Sequence, residues 1–254
     1  MASHFECIGV SGEPRTFFDF IDEVAKNGIR KPTFRGDYIQ YLDPSGAETW
    51  LQLDKGMSVL GINPHYATAL SVPCEITNLV DLDYGSPLDA TLHAWVNPRY
   101  GDDLQGDYPL VFDCPDYWLQ VPIQFPIRCG IQFAAFASEV SYYSSSAEFK
   151  ASQVGRDTSL GDQALIPVGL FGEGPPRPQI LMSGVVRNVV QKTNKLTGNA
   201  FYAMIADTFG GSMNVVTPRG LGNELPIEGG IICGTFWLSG KLMRKAGPPP
   251  LPKI

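Results

Sequence analysis

Long apolar runs are missing from this 254-residue chain. None approaches the roughly 18 residues that a membrane-spanning helix requires. The stretch "MASHFECIGV" has no basic region and no long apolar segment, so it does not read as a secretory signal. Charge is scarce, at 18% of residues, and histidine occurs only three times. No GxSxG, no P-loop and no GxGxxG after a strand is present, so no familiar nucleophile elbow or phosphate cradle is offered. The five cysteines, Cys7, Cys74, Cys114, Cys129 and Cys233, are scattered, and no two show CxxC spacing. They read as reduced, partly buried thiols of a cytoplasmic protein.

What is present points to a folded chain. Hydrophobic residues make up 44%, and 27 glycines and 21 prolines favour short strands joined by turns. The length suits one large or two ordinary domains. The net charge of −7 opposes whole-molecule attraction to nucleic acid or an anionic membrane. It hides a split: residues 1–162 carry −12 and residues 163–254 carry +5. Such asymmetry suggests two parts with different surfaces, which could dock on each other.

Along the chain, "HFECIGV" alternates apolar and polar residues and predicts a half-buried strand. "EPRTFFDFIDEVAKNG" predicts a helix, with Pro14 in the first turn and Gly28 as the stop. Phe17, Phe18, Ile21, Val24 and Ala25 fall on its apolar side. "DYIQYLDPSGAETWLQL" predicts a hairpin turning at "DPSG". "VLGINPHYATAL" offers a strand broken by Pro64. "LFGEGPPRPQ" cannot sit in regular core structure and marks a boundary. Beyond it, "ILMSGVVRNVVQ", "AFYAMIAD", "SMNVVTP" and "GGIICGTFWLSGKLM" read as four strands, and Gly184 predicts a bulge or bend in the first. No internal repeat is evident.

The C-terminal pattern resembles an oligonucleotide/oligosaccharide-binding (OB) fold over about residues 178–243. The resemblance lies in the long first strand, the basic turn "QKTNKLTGN" and the two strands joined by "TFGG". It implies a ligand face on strands two and three and their loops. Alternation puts Phe201, Ala203 and Ile205 on the core side and Tyr202 outside as a stacking surface. Arg187, Lys192, Lys195 and Arg219 would supply positive charge along a polymer backbone.

Residues 4–53 bear a likeness to half of a vicinal-oxygen-chelate domain, in "HFECIGV", the helix and "YLDPSGAETWLQL". The likeness implies a divalent metal held by His4 and Glu48, with His65 and His93 as further candidates outside the motif. Asp107, Asp113 and Asp116 stand among aromatics in "GDYPLVFDCPDYW" and read first as turn formers. Taken together, "FECIGV", "DPSGAETWLQL", "NPHY", "GDYPLVFDCPDY", "TNKLTGNAFY", "DTFGG" and "GTFWLSGKL" resemble an uncharacterised family of bacterial proteins of about this length.

The expected fold is α+β and predominantly β. An N-terminal strand-helix-sheet part is followed by a C-terminal OB-like β-barrel. The expected parts are 1–172 (acidic, α+β), 173–246 (barrel) and 247–254 (Pro-rich tail). The expected function is a non-enzymatic binding module for single-stranded nucleic acid or a protein, with no cofactor and no membrane. The alternative is a divalent-metal-dependent enzyme.

Overall fold

The computed structural model describes residues 3–82, 85–99 and 105–243. The expected 247–254 tail lies outside them. Within them the chain is α+β and mostly β. Strands β1 (Ile29–Pro32), β2 (Asp37–Leu42), β3 (Ala47–Leu53) and β4 (Val59–Tyr66) form an antiparallel sheet in that order. β4 runs through Pro64, which faces Thr49 across the pair. An edge strand tolerates proline because one side needs no backbone donor.

Helix α1 (Pro14–Asn27) packs against β2 and β3. Pro14 stands at its start, and Gly28 N–H donates to the Val24 carbonyl at 2.9 Å. Phe20 and Val24 are buried, with Phe17 and Ile21 packed beside them. Phe18 is 66% exposed, a correction to the expected apolar side. At 100° per residue it falls off the 17-20-21-24 stripe.

The expected first strand is also corrected. Glu6–Ile8 is a 3₁₀ turn ending at Gly9, whose φ is 79°. Adjacent Cys7 and Ile8 are both fully buried. A strand facing one core would have turned one of them outward.

The remaining strands are β5 (Val72–Val80), β6 (Thr91–Val96), β7 (Tyr108–Asp113), β8 (Ile127–Tyr143), β9 (Ala164–Ile166), β10 (Gln179–Thr193), β11 (Ala200–Thr208), β12 (Gly211–Pro218) and β13 (Ile231–Met243). Short helices α2 (Tyr117–Gln120) and α3 (Ser146–Ala151) lie between them. Their pairings close two circuits. One runs β10–β11–β12–β8–β13 and back to β10. Every neighbour in it is antiparallel except β12 and β8. The other runs β5–β6–β7–β13–β8 and back to β5. Here too one pair is parallel, β7 with β13, joined at Asp113 and Ser239. The two barrels share β8 and β13.

This arrangement is a structural duplication. β5–β8 and β10–β13 are two four-strand units, each lending its long last strand to the other's barrel. The first strand of each is irregular at one place, between Ile76 and Asn78 and between Val186 and Asn188. The second irregularity is therefore at Arg187 rather than at Gly184. The last strands open with matching sequences, "IRCG" at 127–130 and "IICG" at 231–234. No repeat shows elsewhere in the sequence because a barrel strand requires only alternation, which many residues satisfy. The 173–246 segment closes its barrel with β8, which precedes it in the chain.

Sharing explains the composition of β8. Residues 133–137, "FAAFA", are all buried. A strand covered on both faces carries a continuous apolar run. Phe112 and Phe133 meet edge to face at 5.2 Å, as do Phe136 and Trp237 at 5.1 Å.

Candidate functional site

The residues expected to bind a polymer lie around β11 and its flanking loops, and two of the five, Arg187 and Tyr202, are engaged. Arg187 Nε donates to Asp207 Oδ2 at 2.6 Å. Tyr202 is half-buried against the core. It stands opposite Thr217, whose Oγ1 accepts from the Tyr142 hydroxyl at 2.9 Å. Phe201 and Ala203 are buried as expected. Further along, Met204 and Ala206 are buried and Ile205 is not, so both faces of β11 are covered. Lys192 is half-buried, while Lys195 and Arg219 are exposed.

The loop at 194–199 clasps the N-terminal segment. Asn194 Nδ2 donates to the Ile8 carbonyl at 2.9 Å, and Thr197 Oγ1 to the Gly9 carbonyl at 2.7 Å. A side chain at Gly9 would come within 2.8 Å of the Asn199 carbonyl, so glycine is required both for this approach and for its positive φ. Lys195 N–H donates to Asp43 Oδ2 at 2.9 Å, tying the loop to the β2–β3 turn. Beside the clasp lies a cleft of about 880 Å³ lined by Glu6, Ser11, Asn199, Arg219 and Leu221 among others.

The expected metal pair is not joined by any contact among the described residues. His4 stacks on Trp237, ring centres 4.3 Å apart. Burial lowers its pKa to about 4, so it is neutral near neutral pH. Glu48 lies in a buried polar layer between the β1–β4 sheet and the barrels. Lys241 Nζ donates to its two oxygens at 2.8 and 3.1 Å, and Gln40 Nε2 also donates to it. His65 faces Glu48 across β3 and β4. Its Nδ1 lies 2.9 Å from Ser239 Oγ. Its Nε2 is buried without a protein partner. Burial holds its pKa well below the usual value. Among the described residues, no three His, Cys, Asp or Glu side chains group in a way that could hold a metal ion.

The polar layer continues to Asp89, whose Oδ1 accepts from Gln52 Nε2 and Asn63 Nδ2, both at 2.8 Å. Asp113 accepts from Thr91 and, at 2.7 Å, from Trp237 Nε1. Burial raises its pKa to about 6, against the pull of those two donors. A narrow cavity of about 120 Å³ touches Asn63, Asp89, Thr91 and Asp113. It adjoins a wider cleft of about 390 Å³ that adds Arg35 and Trp118. Arg35 sits 3.9 Å from the Trp118 ring centre. The serine-histidine pair at Ser239 and His65 resembles a catalytic dyad in distance alone. Both side chains are 0% exposed and cannot meet a substrate. The sequence marked Asp113 only as a turn former, and nothing local to "DCPDY" signals the Trp237 contact across the fold.

Comparison with family models, with curated proteins and with solved structures finds no match. No helix among the described residues is long and apolar enough to cross a membrane.

Proposed function

We propose that this chain is a non-enzymatic binding protein built as two interlocked OB-like barrels, and that it engages a protein partner. Each five-strand circuit with one parallel closure is read as an OB-like barrel, a class that takes ligands on strands two and three and their loops. The observation that carries the partner class is what already lies on that face. In the C-terminal barrel it holds polypeptide, residues 5–10, through side chains that bond to main-chain carbonyls. The buried carboxylates of Asp37, Glu48 and Glu75 are each held in an ion pair, with Arg30, Lys241 and Arg128, which favours a scaffold over an active site. The proposed setting is a bacterial cytoplasm, in keeping with the family its segments resemble.

A second reading, single-stranded nucleic acid, is favoured by Lys195 and Arg219, which are exposed on the rim of the same barrel. It lacks an open stacking surface, since Tyr202 is half-buried. The metal-dependent alternative has no comparable support, because Glu48 is held by Lys241 and Gln40.

The test is a pair of measurements on the full chain and on a Lys195→Glu/Arg219→Glu variant. A photo-crosslinker at Asn199 should capture a protein in native extract, with weaker capture by the variant. A labelled pool of single-stranded oligonucleotides at low salt, where the phosphate term is largest, should not bind. Oligonucleotide binding lost in the variant would move the assignment to nucleic acid. Neither capture nor binding would remove the binding face altogether.

A further inference from the structure

Two of the five cysteines face each other. Cys74 on β5 pairs directly with Cys129 on β8 in an antiparallel ladder. All five cysteines are thiols. Directly opposed residues in such a ladder have Cα atoms about 4.5–5.5 Å apart and side chains on the same face. That lies within the roughly 4.4–6.8 Å that a disulfide spans. The duplication supplies an internal contrast. In the other barrel the matching Cys233 faces Ser183, so only one of the two equivalent sites carries a dithiol.

Access comes from one side. Cys74 is 1% exposed, whereas Cys129 is partly exposed. Both line an open cleft of about 710 Å³ with Ser71, Pro73, Asn97 and Arg128. A small thiol reagent can therefore reach Cys129 first, with Cys74 directly behind it.

We propose that Cys74 and Cys129 form a reversible oxidation site that closes to a cross-strand disulfide on reaction with a low-molecular-weight disulfide such as oxidised glutathione. Cys129 loses its proton to solvent, and its thiolate attacks one glutathione sulfur. The glutathione S–S bond breaks, a Cys129–glutathione bond forms and one glutathione thiolate departs. Cys74 then attacks the Cys129 sulfur. The Cys74–Cys129 bond forms, the second glutathione leaves as a thiolate, and it takes the Cys74 proton. Two protein thiols are oxidised and one glutathione disulfide is reduced to two glutathiones. Cys129 is the entry point and Cys74 the resolving thiol, because Cys129 is the more exposed of the two and burial disfavours the thiolate of Cys74.

Reversibility follows from geometry. Opposed Cβ atoms in a ladder typically stand about 4.5–5.5 Å apart, at or beyond the upper end of the roughly 3.5–4.5 Å of a relaxed disulfide. Closing the bond strains the ladder, and strained disulfides are more easily reduced. The bond would pin β5 to β8, the shared strand.

The experiment incubates the folded protein with oxidised glutathione, blocks remaining thiols by alkylation and maps peptides by mass spectrometry. The expected product is a Cys74–Cys129 linked peptide, two fewer alkylated thiols and full recovery with dithiothreitol. Cys74→Ser should leave a stable glutathione adduct on Cys129. Cys129→Ser should leave Cys74 a thiol. Circular dichroism of each variant checks that it is folded. A wild-type protein in which Cys129 keeps its glutathione would overturn the proposal, as would linkage to Cys7, Cys114 or Cys233 instead. So would two thiols that stay alkylatable throughout.

Discussion

Lys241 reaches Glu48 from the far end of β13 and is itself only 19% exposed in its side chain, against 1% for Glu48. Its ammonium also lies 5.1 Å from the Trp50 ring centre. Removing one member of a buried pair leaves an uncompensated charge and costs about 3–5 kcal/mol. Lys241→Met should lower stability by that order in urea unfolding. Adding Glu48→Gln should recover most of the loss, because the buried charge is then gone. A double variant no more stable than the single would show that Lys241 acts through packing alone.

Asp113 gives a pH-dependent counterpart. Its pKa in the folded protein is raised to about 6 from 3.8, so the folded chain binds its proton more tightly than the unfolded chain. Stability therefore falls as pH rises through that window, and the penalty is complete above about pH 6. The shift corresponds to about 2–3 kcal/mol. Asp113→Asn, which cannot ionise, should gain about that much relative to the wild type between about pH 4 and pH 7.5. A difference that stays flat across this range would contradict the assignment.

At the scale of elements, β8 and β13 decide the fold. Their ladder runs from Tyr143 opposite Ile231 to Gly130 opposite Met243, with an irregularity between Thr235 and Phe236. Gly234 stands just before that irregularity, where any Cβ would run into the Glu139 carbonyl. Gly234→Ala should cost about 1–3 kcal/mol. Because both barrels use this ladder, hydrogen exchange should show β5 and β10 losing protection together. Loss confined to β10 would mean that the barrels are separable.

Some local elements were legible in the sequence. The α1 stripe, Pro14 and Gly28 fix a helix from its own residues, and "DPSG" fixes the β2–β3 turn. The pairing of β8 was not legible. Residues 133–137 are buried on both faces of the strand, and nothing in "FAAFA" names what covers them. The same limit applies to the candidate site. Glu48 is expected from the sequence as a metal ligand with His4, whereas in the fold its partner is Lys241, 193 residues away. No local spacing encodes that contact. Nor could alternation in "AFYAMIAD" show that Tyr202 would be half-buried, because that depends on the packing around the strand and not on the strand's own pattern.

For the whole molecule, the split between the −12 and +5 segments does not mark two docked bodies. Among the described residues one ion pair, Lys241 with Glu48, crosses between residues 1–162 and 163–254. What joins the two segments is backbone pairing, of β12 and β13 with β8 and of β7 with β13. A molecule built this way has no internal boundary along which half of it could melt. Differential scanning calorimetry tests this most directly. Two barrels that share two strands predict a single transition whose van't Hoff and calorimetric enthalpies agree. Two resolved transitions, or a calorimetric enthalpy near twice the van't Hoff value, would contradict the interlocked architecture.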